Sequence, residues 1–139
     1  MKFSKKAFLV IALSGLLCVS AHAAFVKTNT YTDGQFTDVA ADAWYASEVK
    51  NTYELGLMNG IGGGLFDPEG NVTVAEAITM ASRASAANAG LTIEAANPAD
   101  SGEWYRMYVN YAVKMGFVKD GQFDNFDRPA KRYEVAGIF

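Results

Sequence analysis

The 139-residue chain holds one cysteine and one histidine, Cys18 and His22. Both fall in an N-terminal stretch that reads as a secretory signal. Lys2, Lys5 and Lys6 make a basic start, Ala7 to Val19 is apolar, and Ala21-His22-Ala23 offers a small-x-small cleavage site. The apolar run is shorter than the roughly 20 residues that span a bilayer, so cleavage is expected rather than a retained membrane helix. Leu17 stands before Cys18 where a lipid-anchor signal wants a small residue. Removing 23 of the 139 residues leaves 116 without thiol or imidazole. That excludes a thiolate nucleophile, an imidazole base, a nitrogen or sulfur zinc site and any disulfide. Stability must come from packing, and a chain of this length buries roughly 65% of its unfolded surface, enough for one shared core.

Positive charge is also scarce. The formal charge is −3, and cleavage removes three of the twelve basic residues and none of the fifteen acidic ones, leaving −6. Such a chain is a poor general binder of nucleic acid, and an anionic ligand needs a local basic site. The cluster Gly60-Ile61-Gly62-Gly63-Gly64 fails as a nucleotide loop, because no Gly-Lys-Ser/Thr follows and Leu65 takes the last glycine place of a dinucleotide fingerprint. It reads as a tight turn. Asp120, Asp124 and Asp127 lack the alternating ligands and closing glutamate of a calcium loop, so no metal and no cofactor are expected. Paired carboxylates for glycoside hydrolysis are available by residue type, but the chain is small for a catalytic sugar cleft. No enzymatic activity is expected.

What the sequence does contain is a duplication. Trp44-Tyr45, Val49 and Gly56 recur as Trp104-Tyr105, Val109 and Gly116 at a constant offset, followed at slightly different spacing by Phe66-Asp67 and Phe123-Asp124, and by Glu76 and Glu134. Each copy reads as helix, loop, helix. In the first, Asp42 is placed to cap a helix from near Ala43, with Tyr45, Val49, Thr52 and Tyr53 on one face and Gly56 as its stop. The second helix opens at Thr73-Val74-Ala75-Glu76, whose spacing makes a capping box, and continues with Ile78, Ala81 and Ser85 flanked by Ala77, Met80, Ala84 and Ala87. The expected fold is mainly α: tandem helix-loop-helix repeats packed together as a small helical bundle.

Arg128, Lys131 and Arg132 crowd the expected start of the last helix, where cations oppose the helix dipole. Two readings follow from the residues alone: an anion held by helix amides and an arginine fork, or a solvated face with Glu134 or Asp127 as partner.

The pattern as a whole resembles the S-layer homology family. The likeness rests on Phe36-Thr37-Asp38-Val39, Trp44-Tyr45, Gly56-Leu57-Met58, Phe66-Asp67-Pro68 and Val72-Thr73-Val74-Ala75-Glu76. It continues in Trp104-Tyr105, Tyr108 to Ala112, Gly116-Phe117, Phe123 and Arg128 to Ala136. The family's Thr-Arg-Ala-Glu is Thr73-Val74-Ala75-Glu76 in the first unit, without its arginine, and Lys131-Arg132-Tyr133-Glu134 in the second. The resemblance implies an exported, non-catalytic module at the cell wall that binds secondary cell-wall polysaccharide, often a pyruvylated and so anionic one. It implies that Arg132 contacts the anionic sugar, with Lys131 and Arg128 beside it. Trp44 and Trp104 are either groove residues or core anchors at helix starts, the second being preferred. Asp38 either binds a sugar hydroxyl or caps the following segment.

The expected organisation is a signal peptide at 1–23, a mobile lead at 24–35, a first repeat at 36–90, a connector at 91–103 and a second repeat at 104–139. The family generally presents three repeats. A third repeat, or another envelope protein, is therefore an expected partner besides the polysaccharide. The alternative function is a structural S-layer or envelope assembly module that binds other proteins through exposed helix faces.

Overall fold

The computed structural model of the chain describes residues 25–93 and 102–139. The signal segment and the middle of the connector, Asn97-Pro98 included, lie outside the described residues. Among the described residues there are four helices and no strand: α1 (Ala46–Glu54), α2 (Val74–Asn88), α3 (Arg106–Met115) and α4 (Arg132–Ile138). The chain is thus mainly α, built as helix, loop, helix twice.

α1 starts three residues later than expected. Asp42 does not cap it; the N-cap is Tyr45, which makes no side-chain cap bond. The amides of Ala43 and Ala46 instead bond to Ala40 and Ala43 oxygens in successive turns, so the chain bends through the Trp-Tyr pair before the helix begins. The second unit repeats the arrangement, with Tyr105 as an uncapped N-cap of α3. Gly56 and Gly116 follow the two helices at φ 69° and 83°, the left-handed conformation that glycine adopts without penalty at a helix end.

The tryptophans are not core anchors. Trp44 is 87% and Trp104 58% exposed, while Tyr105 is 4% exposed. The tyrosine takes the inward place, stacked on Phe126 at 5.1 Å, and Trp104 stands edge-on to it at 5.6 Å.

α2 is the helix that both units share. Its N-cap is Thr73, whose hydroxyl accepts from the Glu76 amide while the Glu76 carboxylate accepts from the Thr73 amide. Alanine and other small residues let neighbours approach: Val74, Ala75, Ala77, Ile78 and Ala81 pack with Tyr105, Val109 and Ala112 of the α3 region, with Val118 and Phe123 of the second loop, and with Ile138 of α4. The buried face is wider than the helical pattern suggested, since Thr79, Ser82 and Ala86 are also inside. α3 lies along it, tied by Ser82 Oγ donating to the Tyr108 carbonyl at 3.1 Å and by a Ser85–Tyr111 hydroxyl contact at 3.2 Å.

The second unit also closes the start of α2. The amides of Val74 and Ala75 donate to the carbonyls of Arg128 and Phe126, at 3.1 and 2.9 Å, and the Ala130 amide donates to Val72 at 2.8 Å. Amides that a lone helix leaves unpaired are thereby satisfied by a segment more than fifty residues away in the chain.

α1 rests on a separate cluster of Phe36, Val39 and Val49 with Tyr31, Tyr45, Tyr53 and Phe66. Residues of the expected mobile lead lie against its C-terminus. Thr28 and Asn29 amides donate to the Glu54 carbonyl, the Asn29 side chain donates to the Tyr53 carbonyl, and Lys27 Nζ lies 2.5 Å from the otherwise unpartnered Glu54 Oε2. The helix end needs donors and the buried Glu54 needs a counterion, which accounts for the docking of this segment.

α4 keeps half of a capping box. The Glu134 carboxylate accepts from the Lys131 amide at 2.8 Å, but Lys131 carries an ammonium group, which cannot accept in return. Glu134 also receives Arg128 in a two-pronged pair at 2.8 and 2.6 Å. Those bonds, first the Arg128 guanidinium and then the Lys131 amide, lower the Glu134 carboxyl to about 2.

Two outcomes follow for stability. Thr73→Ala, by removing the cap, costs about 1 kcal/mol in urea unfolding. Glu134, whose carboxyl is more acidic folded than unfolded, contributes in full above about pH 4.5 and loses that contribution as pH falls toward about 2. Urea midpoints at pH 7 and pH 3 should therefore differ less in Glu134→Gln than in the parent chain.

Candidate functional site

A groove of about 410 Å³ opens between the two units. One side is the loop that follows α1, with Leu57 to Ile61, Phe66-Asp67 and Gly70 to Val72. Another is the stripe Glu76, Thr79, Met80 and Arg83 of α2. From the second unit comes Trp104. Spacing of three, four and seven residues puts the α2 side chains on one helix face, so a single helix turned toward α1's loop delivers all four.

The loop is held in shape by Asp38. Its carboxylate accepts from the Phe66 amide at 2.9 Å and the Asp67 amide at 2.7 Å, and those bonds, the Phe66 amide foremost, hold its pKa below the ordinary carboxylate value. The glycine cluster is a tight turn, with the Ile61 amide donating to the Leu65 carbonyl and the Leu65 amide to that of Gly62. Gly60 is required by both conformation and space. Its φ is 77°, and a Cβ there would sit 2.5 Å from the Leu65 carbonyl oxygen and 2.7 Å from the Phe36 ring.

Arg83 carries the positive charge of the groove. Its Nε and Nη2 donate to the Tyr108 hydroxyl at 3.2 and 3.0 Å, its Nη1 to the Leu57 carbonyl at 3.3 Å, and its guanidinium lies 5.0 Å from the Tyr108 ring centre. All of these partners are neutral. Among the described residues no carboxylate forms a salt bridge with it.

Of the residues singled out from the sequence, Trp104 lines this groove. Asp38 stands behind it as the clamp on its loop. Trp44 lies on the first unit's outer surface, edge-on to Tyr45 at 5.4 Å. Arg128, Lys131 and Arg132 are outside the groove lining. Arg128 is taken up by Glu134, the partner that the solvated-face reading named. Lys131 and Arg132 are exposed, with the Lys131 ammonium 5.8 Å from the Tyr133 ring centre. Sequence reasoning passed over Arg83, Thr79 and Met80 as groove residues. The signal was present in their spacing from Glu76, but which helix face met the groove depended on the partner helix.

Comparison with known proteins agrees with this architecture. Residues 35–78 match the S-layer homology domain. The chain is 29% identical over 130 residues to the surface-layer 125 kDa protein of Lysinibacillus sphaericus, covering 86% of this chain and 11% of that protein. It is 32% identical over 132 residues to a cell surface protein of Thermoanaerobacter kivui, covering 89% and 17%. It is 32% identical over 123 residues to an amylopullulanase of Thermoanaerobacterium thermosulfurigenes, covering 81% and 6%. The chain thus spans a small part of each of these relatives. No solved structure matches. With its Thr73–Glu76 capping box, the left-handed stop at Gly56 and the loop clamped by Asp38 all inside the matched segment, the chain carries an S-layer homology domain at residues 35–78, the anchoring module of exported cell-surface proteins.

Proposed function

We propose that this anchoring works by binding a cell-wall polysaccharide in the groove between the two units, and that residues 104–139 act as a second copy of the domain. The observation that carries the reading is Trp104. It is 58% exposed although it is the largest apolar side chain of its unit, and it stands on the side of a groove of about 410 Å³. An exposed indole beside polar groups suits the apolar face of a sugar ring, with hydroxyls turned to carboxylates and side-chain amides. Asp67, Glu76, Asn59 and Asn71 supply such partners.

The exposed cations Lys131 and Arg132 head the second unit's last helix, and we assign them an accessory contact with an acidic glycan. Among the described residues no group orients Arg132, so screening by solvent limits its share. Arg128 is neutralised by Glu134 and serves the fold. Nothing in this reading requires catalysis or a cofactor, and the amylopullulanase is matched over only 6% of its length.

A second reading has its own support. Trp44, Ile61, Tyr133 and Phe139 are exposed, at 87, 59, 68 and 69%. Such surface suits assembly with another repeat or another envelope protein. Pull-down with purified cell-wall sacculi separates the two. Binding that disappears when wall polysaccharide is stripped supports the groove, and binding that persists supports protein assembly. In calorimetric titration with the released polysaccharide, Trp104→Ala lowers affinity by about tenfold or more, while Arg132→Ala lowers it by about fivefold at most. Unchanged affinity in a folded Trp104→Ala chain overturns the placement in the groove.

A further inference from the structure

Resting on that reading, the geometry points to Arg83 as the residue that selects an acidic sugar. A guanidinium has five N–H donors. Three of Arg83's are engaged, two by the Tyr108 hydroxyl and one by the Leu57 carbonyl. Two remain. Its partners sit on two other pieces of the fold, α3 through Tyr108 and the loop after α1 through Leu57. The side chain is therefore held in place before a ligand arrives, and little rotamer freedom is lost on binding. Its charge is half-buried on the groove and is met by no carboxylate among the described residues. A fixed, uncompensated guanidinium with two open donors suits a carboxylate group.

The rest of the groove sets how that carboxylate must be carried. Glu76 lies seven residues before Arg83 on the same helix, about 10 Å away along its axis, and Asp67 also lines the groove. A second acidic group on the ligand would meet these carboxylates, whereas sugar hydroxyls donate to them. The ligand is thus a sugar with one carboxylate at the Arg83 end and neutral hydroxyls at the Glu76 end, its ring lying against Trp104. Val74, where the resemblance places an arginine, is fully buried in the core on the opposite side of α2, so Arg83 is the one cation among the described residues that line the groove.

The test uses wall polysaccharide before and after carbodiimide-activated borohydride reduction, which converts its carboxylates to alcohols. Titration of the whole chain should show affinity falling by about 10- to 100-fold on reduction. Arg83→Gln should bind native and reduced polysaccharide equally weakly. Tyr108→Phe, which removes the hydroxyl that orients the guanidinium, should fall between. Lys114→Gln, removing an exposed charge on α3 outside the groove, should stay within about twofold of the parent. If the parent binds both polysaccharides equally while Trp104→Ala abolishes binding, the groove reading stands and the role of Arg83 is overturned. If the parent binds neither, both fall. If Arg83→Gln proves unstable, Tyr108→Phe and Arg132→Ala decide it: a smaller loss on reduction in Tyr108→Phe, with the full loss kept in Arg132→Ala, assigns the selection to Arg83, and the reverse pattern overturns it.

Discussion

Three backbone hydrogen bonds hold this molecule's two units in one frame. Val74 and Ala75 donate to carbonyls of Arg128 and Phe126, and Ala130 donates back to Val72. Buried amides without partners are costly, so the first turn of α2 depends on the second unit for its completion. α2 in turn supplies the surface on which α3 and α4 pack. The two units are therefore not beads on a string. The first half of the chain has its own small aromatic cluster around Phe36 and Val49, but its long helix belongs to a core that the second half finishes.

The groove is a consequence of that sharing. Once α2 turns its alanine-rich side toward α3, the stripe from Glu76 to Arg83 is left facing the loop after α1, and Trp104 at the entry to α3 is brought to the same place. In a chain whose formal charge is −3, an anion can be held only where a cation is fixed locally. Arg83 is fixed by neutral partners and meets no carboxylate among the described residues, whereas Arg128 is matched by Glu134 at the second capping site.

Local features were the most legible in the sequence. The Thr73–Glu76 capping box and the stops at Gly56 and Gly116 depend on residues close together in the chain, and all appear in the structure. Less was legible where two adjacent residues compete for one place. Trp44-Tyr45 and Trp104-Tyr105 each send one aromatic inward, and only the packing, against the Phe36 cluster for Tyr45 and against Phe126 for Tyr105, decides that the tyrosine goes in. The start of α1 was misplaced because Asp42 has the right chemistry for a cap but sits in a turn that precedes the helix. Arg83 escaped notice because periodicity shows that residues share a face without showing what that face meets.

Native-state amide hydrogen exchange at Val74 and Ala75 tests most directly whether the second unit completes the first. If the bonds to Arg128 and Phe126 are integral to one core, both amides exchange only by global unfolding, at the same free energy as Val109 and Ala112 of α3. Exchange of Val74 and Ala75 through a cheaper opening, with the interior of α2 still protected, would contradict it.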